Sequence, residues 1–167
     1  MFLINFKNQI TLKMKTFFVI AFCFISIFAF SQSPIGKGGR QLNFGFSGNS
    51  SYVPVYASFD FGIHPDITIG PQAGLDLRFN YLNLGFRGDY HFNTLIGIPL
   101  EWDFYAGAST GFSIQLRTGV VNAKNGYLLG GQVGGRWYWS DQWGLNLEIG
   151  ASNLFGTGRV GLSLRFL

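Results

Sequence analysis

Residues 100–115 read LEWDFYAGASTGFSIQ, and the order of this stretch decides the fold. Leu100, Trp102, Phe104, Ala106, Ala108, Phe112 and Ile114 share one parity. Glu101, Asp103, Tyr105, Gly107, Ser109, Gly111, Ser113 and Gln115 share the other. Successive side chains of an extended chain point to opposite faces, so the run is a strand with one apolar and one polar face. It is also long. Strands of water-soluble sheets usually run about 5–6 residues, whereas a tilted strand that crosses a bilayer needs about 9–11.

Seven further runs repeat the pattern, at about 41–47, 53–63, 67–79, 82–92, 129–139, 143–152 and 159–166. No segment after residue 32 shows the i, i+3, i+4 spacing of a helix. Eight strands, an even number, return the chain to the side on which it began. The sequence therefore predicts an all-β fold, an eight-stranded antiparallel up-and-down transmembrane β-barrel over residues 40–167.

The composition of the two faces says which one meets lipid. Charged residues make up only 12% of the chain, about half the usual share. Those that fall in strands sit on the polar parity: Asp60, Asp76, Asp89, Glu101, Asp103 and Glu148, with Arg78, Arg87, Arg136, Arg159 and Arg165. The rest of that face is mostly small residues, Gly, Ser and Thr. The outside of a soluble barrel carries many Lys and Glu, yet beyond residue 31 the only lysines are Lys37 and Lys124. Small residues with a few long charged ones suit the crowded interior of a narrow barrel. The apolar face is then the outer one, and closure satisfies the backbone groups that hydrocarbon cannot. In so confined a space charges must pair. The expected interior is a hydrogen-bonded plug of Arg–carboxylate pairs, with His91 meeting Glu101 or Asp103. Aromatic residues near strand ends form two expected girdles, Trp102, Trp137, Trp139, Trp143 and Phe166 at one level and Tyr52, Phe79 and Tyr81 at the other.

The first 31 residues read as an export signal. Residues 17–30, FFVIAFCFISIFAF, follow Lys13 and Lys15 and lead into Ser31-Gln32. A basic start, a short apolar core and a small residue at the exit describe a cleaved signal peptide. The run is too short for a helical span of roughly 20 residues. Met14 is an alternative start. Cys23, the sole cysteine, lies within the leader, which leaves no thiol for a disulfide or metal site. Without Lys7, Lys13 and Lys15 the net charge falls from +4 to near neutrality, so the basic balance does not point to nucleic acid. Residues 32–39 are expected to form a short flexible segment before the barrel.

Strand count, alternation and the terminal strand GRVGLSLRFL (Gly158–Leu167) resemble the small eight-stranded outer-membrane barrels of the OmpA transmembrane-domain and OmpX/Ail type. The resemblance covers about residues 40–167. It implies periplasmic termini, periplasmic turns at His64–Asp66, Asn93–Pro99 and Ser140–Gln142, and external loops at Gly48–Ser51, Asn80–Tyr81, Leu116–Gly126 and Asn153–Gly158. It also implies that Phe166 is the terminal aromatic read by the barrel-assembly machinery, although Leu167 follows it. The expected setting is the outer membrane, with membrane lipid and lipopolysaccharide as neighbours and a monomeric chain.

Chemistry is sparse. His64 lies in a turn before Pro65 and His91 faces the interior. The two histidines lack the spacing of a metal site, and the paired glycines 130–131 and 134–135 lack the strand–turn–helix setting of a phosphate loop. No cofactor, metal or catalytic residue is expected. The primary reading is a structural or envelope-associated barrel. A narrow pore for small solutes is the alternative, and a lipid-modifying or ligand-binding barrel a further one.

Overall fold

A computed structural model describes residues 33–48, 54–117, 125–154 and 156–166. The leader, with Met14 and Cys23, lies outside the described residues, as does Tyr52. Eight strands follow in order: β1 (Arg40–Gly48), β2 (Pro54–His64), β3 (Ile67–Asp76), β4 (Tyr81–His91), β5 (Trp102–Gln115), β6 (Gly126–Tyr138), β7 (Trp143–Ser152) and β8 (Gly156–Phe166). One helical turn, α1 (Asn93–Ile96), sits between β4 and β5. Each strand pairs antiparallel with the next, and β8 pairs with β1, so the barrel is closed.

Both ends of the barrel sequence, the start of β1 and the finish of β8, lie at one mouth, called here the terminal end. The opposite mouth is the loop end. The lateral stagger follows from the registers. Arg40 lies opposite Phe61, and the line continues through Ile69, Gly88, Ala108, Gly131, Ala151 and Gly156. It meets β1 again about two positions past Gly48, a stagger of about ten residues. Such a stagger tilts eight strands and leaves a bore only as wide as its own side chains.

The barrel is inside-out relative to a soluble one. Among the described residues the buried apolar side chains are Ile35 and four tyrosines, Tyr56, Tyr81, Tyr105 and Tyr138, while Asp60, Arg87, Asp89, His91, Asp103, Arg136 and Glu148 are all buried. Phe86 and Ile149 are each 66% exposed. Water-soluble monomers rarely expose an apolar patch beyond a few hundred Å2, and this one wraps the molecule. Among the described residues no helix is long and apolar enough to cross a membrane.

Several sequence expectations need correction. The alternation at 67–79 runs on through Leu77 and Phe79, but β3 stops at Asp76 and residues 77–80 form the turn. The Asp76 carboxylate accepts from the Asn80 backbone N–H and side-chain amide, and Phe79 adopts φ 57°. Arg78 is therefore exposed in the turn and not inside the barrel. Tyr81 starts β4 on the inner face at 5% exposure, so it belongs to neither loop nor girdle. Glu101 precedes β5 and is exposed; its carbonyl, not its carboxylate, is engaged, accepting from the Tyr138 N–H. The 153–158 loop is shorter than expected, because β8 begins at Gly156.

The segment before β1 is no free tail over residues 33–39. Ile35 is buried, Gly38 N–H donates to the Gly62 carbonyl, and Gly62 N–H donates to Gly39. A Cβ at Gly62 would lie 1.7 Å from the Gly36 carbonyl oxygen, so the segment can lie down here only because residue 62 lacks a side chain.

Candidate functional site: the polar lumen

Inward-facing positions of all eight strands meet in one polar cluster. Its terminal half is organised by Arg136 of β6. The guanidinium donates from Nη1 to Asp103 Oδ2 and from Nη2 to Asp60 Oδ2, both at 2.8 Å. It also lies over the Tyr105 ring, 4.2 Å from the centroid, a favourable cation–π position. Asp103 Oδ1 is held 2.7 Å from His91 Nδ1, and the His91 Nε2 lies 3.0 Å from Thr68 Oγ1. Asp60 also accepts from Asn43 Nδ2, and Asn43 Oδ1 accepts from Ser163 and Gln41. Gln41 in turn accepts from the Tyr138 hydroxyl at 2.5 Å.

A second tier lies nearer the middle. Arg87 donates from Nε to Asp89 and from Nη2 to Glu148, each at 2.7 Å. Glu148 accepts besides from Tyr105 Oη at 2.9 Å and from Arg159 Nη1 at 2.8 Å. Gln132 donates to Asp89. Arg159 lies over the Tyr56 ring and donates to Gln72. Each carboxylate of these tiers thus accepts a charge-assisted bond, the condition under which a buried charge is tolerated.

Of the sequence-predicted network, Asp60, Arg87, Asp89, His91, Asp103, Arg136, Glu148 and Arg159 come together here. Asp76 is buried but stands apart, engaged with Asn80. Among the described residues Arg165 reaches no carboxylate: it lies over the Tyr138 ring at 3.8 Å and donates to the Pro34 and Ser140 carbonyls. Sequence reasoning left out Tyr56, Tyr105 and Tyr138 and the amides Gln41, Asn43, Gln132 and Asn146, the last of which accepts from Tyr105 Oη. The available signal was their parity: each stands on the polar face of its strand.

Arg136, Tyr105, His91, Gln41, Asn43, Thr68, Asp60, Asp89, Asp103 and Asn146 are all under 2–3% exposed, so no water-wide path runs among them. The lumen is filled across the terminal half. The loop half is roomier: a cavity of about 70 Å3 sits above Glu148 and Arg159. Glycines at inward positions 74, 85, 111, 130 and 150 leave that space open.

Outside, Trp102 stacks on Phe104 and packs against Trp137, which meets Trp139, and Trp143 packs edge-on to Phe44. These rings form an exposed aromatic band at the terminal end. Phe79 is exposed at the loop end, and Phe166 is exposed and stacked on Phe59. His64 Nδ1 accepts from the Asp66 N–H. Among the described residues no group of three His, Cys, Asp or Glu side chains is placed to hold a metal.

Solved structures share this architecture at low sequence identity. A de novo designed transmembrane β-barrel superposes with a TM-score of 0.63 at 13% identity, covering 78% of this chain and 97% of the design. The N-terminal β-barrel domain of Pseudomonas aeruginosa OprF gives 0.59 at 9% identity, over 78% and 99%. The Yersinia pestis outer membrane protein Ail in a phospholipid bilayer nanodisc gives 0.53 at 11% identity, over 78% and 100%. No protein-family model and no curated protein sequence matches the chain. The fold shared with these structures is the small eight-stranded transmembrane β-barrel.

Proposed function

We propose that this chain is an integral outer-membrane protein with a sealed lumen, serving the envelope structurally and not as a solute path. The observation that carries the reading is the terminal-half plug: the Arg136 guanidinium of β6, the carboxylates of Asp60 on β2 and Asp103 on β5, and the His91 imidazole of β4 lie buried, each within hydrogen-bond distance of a neighbour in the set. Opening a path would separate ions that have no water to replace their partners. The exposed apolar belt and its aromatic band fit a bilayer and its interface. Membrane lipid and lipopolysaccharide would surround the monomer, Phe166 would present the assembly signal, and residues 1–31 would be removed on export. No catalytic role is assigned: His91 is engaged by Thr68 and Asp103, and His64 sits in its turn.

The test has two parts. Membrane-fraction protein should migrate faster in gels before boiling than after, and refolded protein in planar bilayers should give no stable current steps. Discrete, reproducible steps would overturn the sealed lumen, and recovery in the soluble periplasmic fraction would overturn the membrane placement.

A further inference from the structure

The loop half of the barrel is built differently from the plug beneath it. Its cavity, about 70 Å3, has room for about two waters at their liquid share of about 30 Å3 each. A molecule of only a few non-hydrogen atoms is the size it admits. The floor is the Arg159–Glu148 pair, and the two ions are not equally accessible. The Arg159 side chain keeps 20% of its exposure while that of Glu148 keeps 2%. Glu148 is further drawn down by Arg87 and Tyr105. What the cavity meets is therefore the cation.

The wider surface has the same sign. Among the described residues the accessible charges of the loop half are Arg78, Arg117 and Arg159, and its acids, Asp76 and Glu148, are buried. The exposed acids Glu101 and Asp141 lie at the terminal end. A dead-end cleft with low-dielectric walls concentrates such a field and raises the local concentration of small anions. The walls also supply neutral donors. Gln72 spends its Oε1 on Arg159 Nη1, which leaves its amide nitrogen as a donor, and the hydroxyls of Ser109 and Thr157 line the same space.

We propose that this cavity is a binding site for a small oxyanion, a phosphate or carboxylate, anchored on Arg159 with Gln72, Ser109 and Thr157 as accessory donors. The inference needs the closed barrel alone and does not depend on the structural role assigned above. The anion is held against a fixed guanidinium already oriented by Glu148, Gln72 and the face of Tyr56, so little rotamer freedom is lost on binding.

The experiment is a calorimetric titration of refolded full-length barrel with inorganic phosphate and, separately, acetate. Saturable one-to-one binding is expected. Arg159→Gln should weaken it at least tenfold, and Thr157→Val, which leaves the Arg159–Glu148 pair in place, about threefold or more. Arg40→Gln removes a charge at the opposite mouth and should leave it unchanged. Thr157→Val also decides the matter should Arg159→Gln fail to refold. No saturable binding to the wild type overturns the proposal, as does unaltered binding in Thr157→Val and Arg159→Gln, or an equal loss in Arg40→Gln. Repeating the phosphate titration in bilayers carrying phosphatidic acid separates the sources. Displacement assigns the site to lipid phosphate, and an unchanged isotherm assigns it to the free ion; both sustain an oxyanion site.

Discussion

Replacing Arg136 by Met isolates what the plug contributes to stability. The Met side chain retains much of the stem volume and removes the charge. Arg136 is 1% exposed and donates to Asp60 and Asp103 at 2.8 Å. Both carboxylates would stay behind, Asp60 with Asn43 and Asp103 with His91 as remaining partners. Removing one member of a buried ion pair costs about 3–5 kcal/mol, because the other charge is left uncompensated. A loss of about 4 kcal/mol is expected, roughly a thousandfold in the folding equilibrium at 1.4 kcal/mol per tenfold. The same reasoning makes an opposite forecast for Arg136→Met combined with Asp60→Asn and Asp103→Asn. All three charges are then gone, the amides still accept from Asn43 and His91, and stability should recover to within about 1–2 kcal/mol of wild type. The assay is equilibrium urea unfolding from phospholipid vesicles, followed by fluorescence of Trp102 and Trp137 on the outer face of the same strands. A loss under about 1 kcal/mol in the single variant, or a triple variant no more stable than the single, would refute the account of the plug as a charge-compensated unit.

Other perturbations probe separate parts of the barrel. Leu147, 55% exposed on the apolar face, should cost about 2–4 kcal/mol when changed to Lys, measured by the same unfolding in vesicles; no loss there would argue against lipid at that face. Gly134→Ala would set a Cβ 2.4 Å from the Tyr105 ring and hydroxyl, so about 1–3 kcal/mol of overpacking is expected, with Tyr105 displaced from Glu148; an unshifted Tyr105 ring resonance would contradict this. Ile35→Asp should release the segment over the terminal mouth, seen as faster hydrogen exchange at the Gly62 N–H, which now donates to Gly39.

Alternation made the inward set legible because parity is a local property. Asp60, Asp89, Asp103, Arg136 and Glu148 could each be assigned a face from their immediate neighbours alone. The same locality explains the misplacements. Leu77 and Phe79 keep the apolar parity, so nothing in the pattern marks Asp76 as the last strand residue. The stop comes from Asp76 itself, whose carboxylate turns the chain by taking two donors of Asn80. Glu101 likewise keeps the polar parity of β5 yet precedes its first residue. Residues 33–39 offer no alternation at all, and their docking depends on the missing side chain of Gly62 on another strand.

Partner choice inside the lumen is a different kind of information. Arg136 and Asp60 are 76 residues apart, and Arg87 and Glu148 are 61 apart. Whether they meet depends on their heights along the barrel axis, and each height accumulates every register between them. An error of two residues in one register keeps every side chain on its correct face, so the alternation cannot detect it. It nevertheless moves one half of the barrel by about 7 Å, at about 3.3 Å per residue, and no ion pair at 2.8 Å survives such a slip. The converse also holds. Once the stagger of about ten residues is set, Arg136 has two carboxylates within reach, and the correct closure satisfies them together. Placing both acids against one guanidinium therefore rewards a single register among those that the hydrophobic pattern allows. The plug thereby selects the alignment in which the barrel closes.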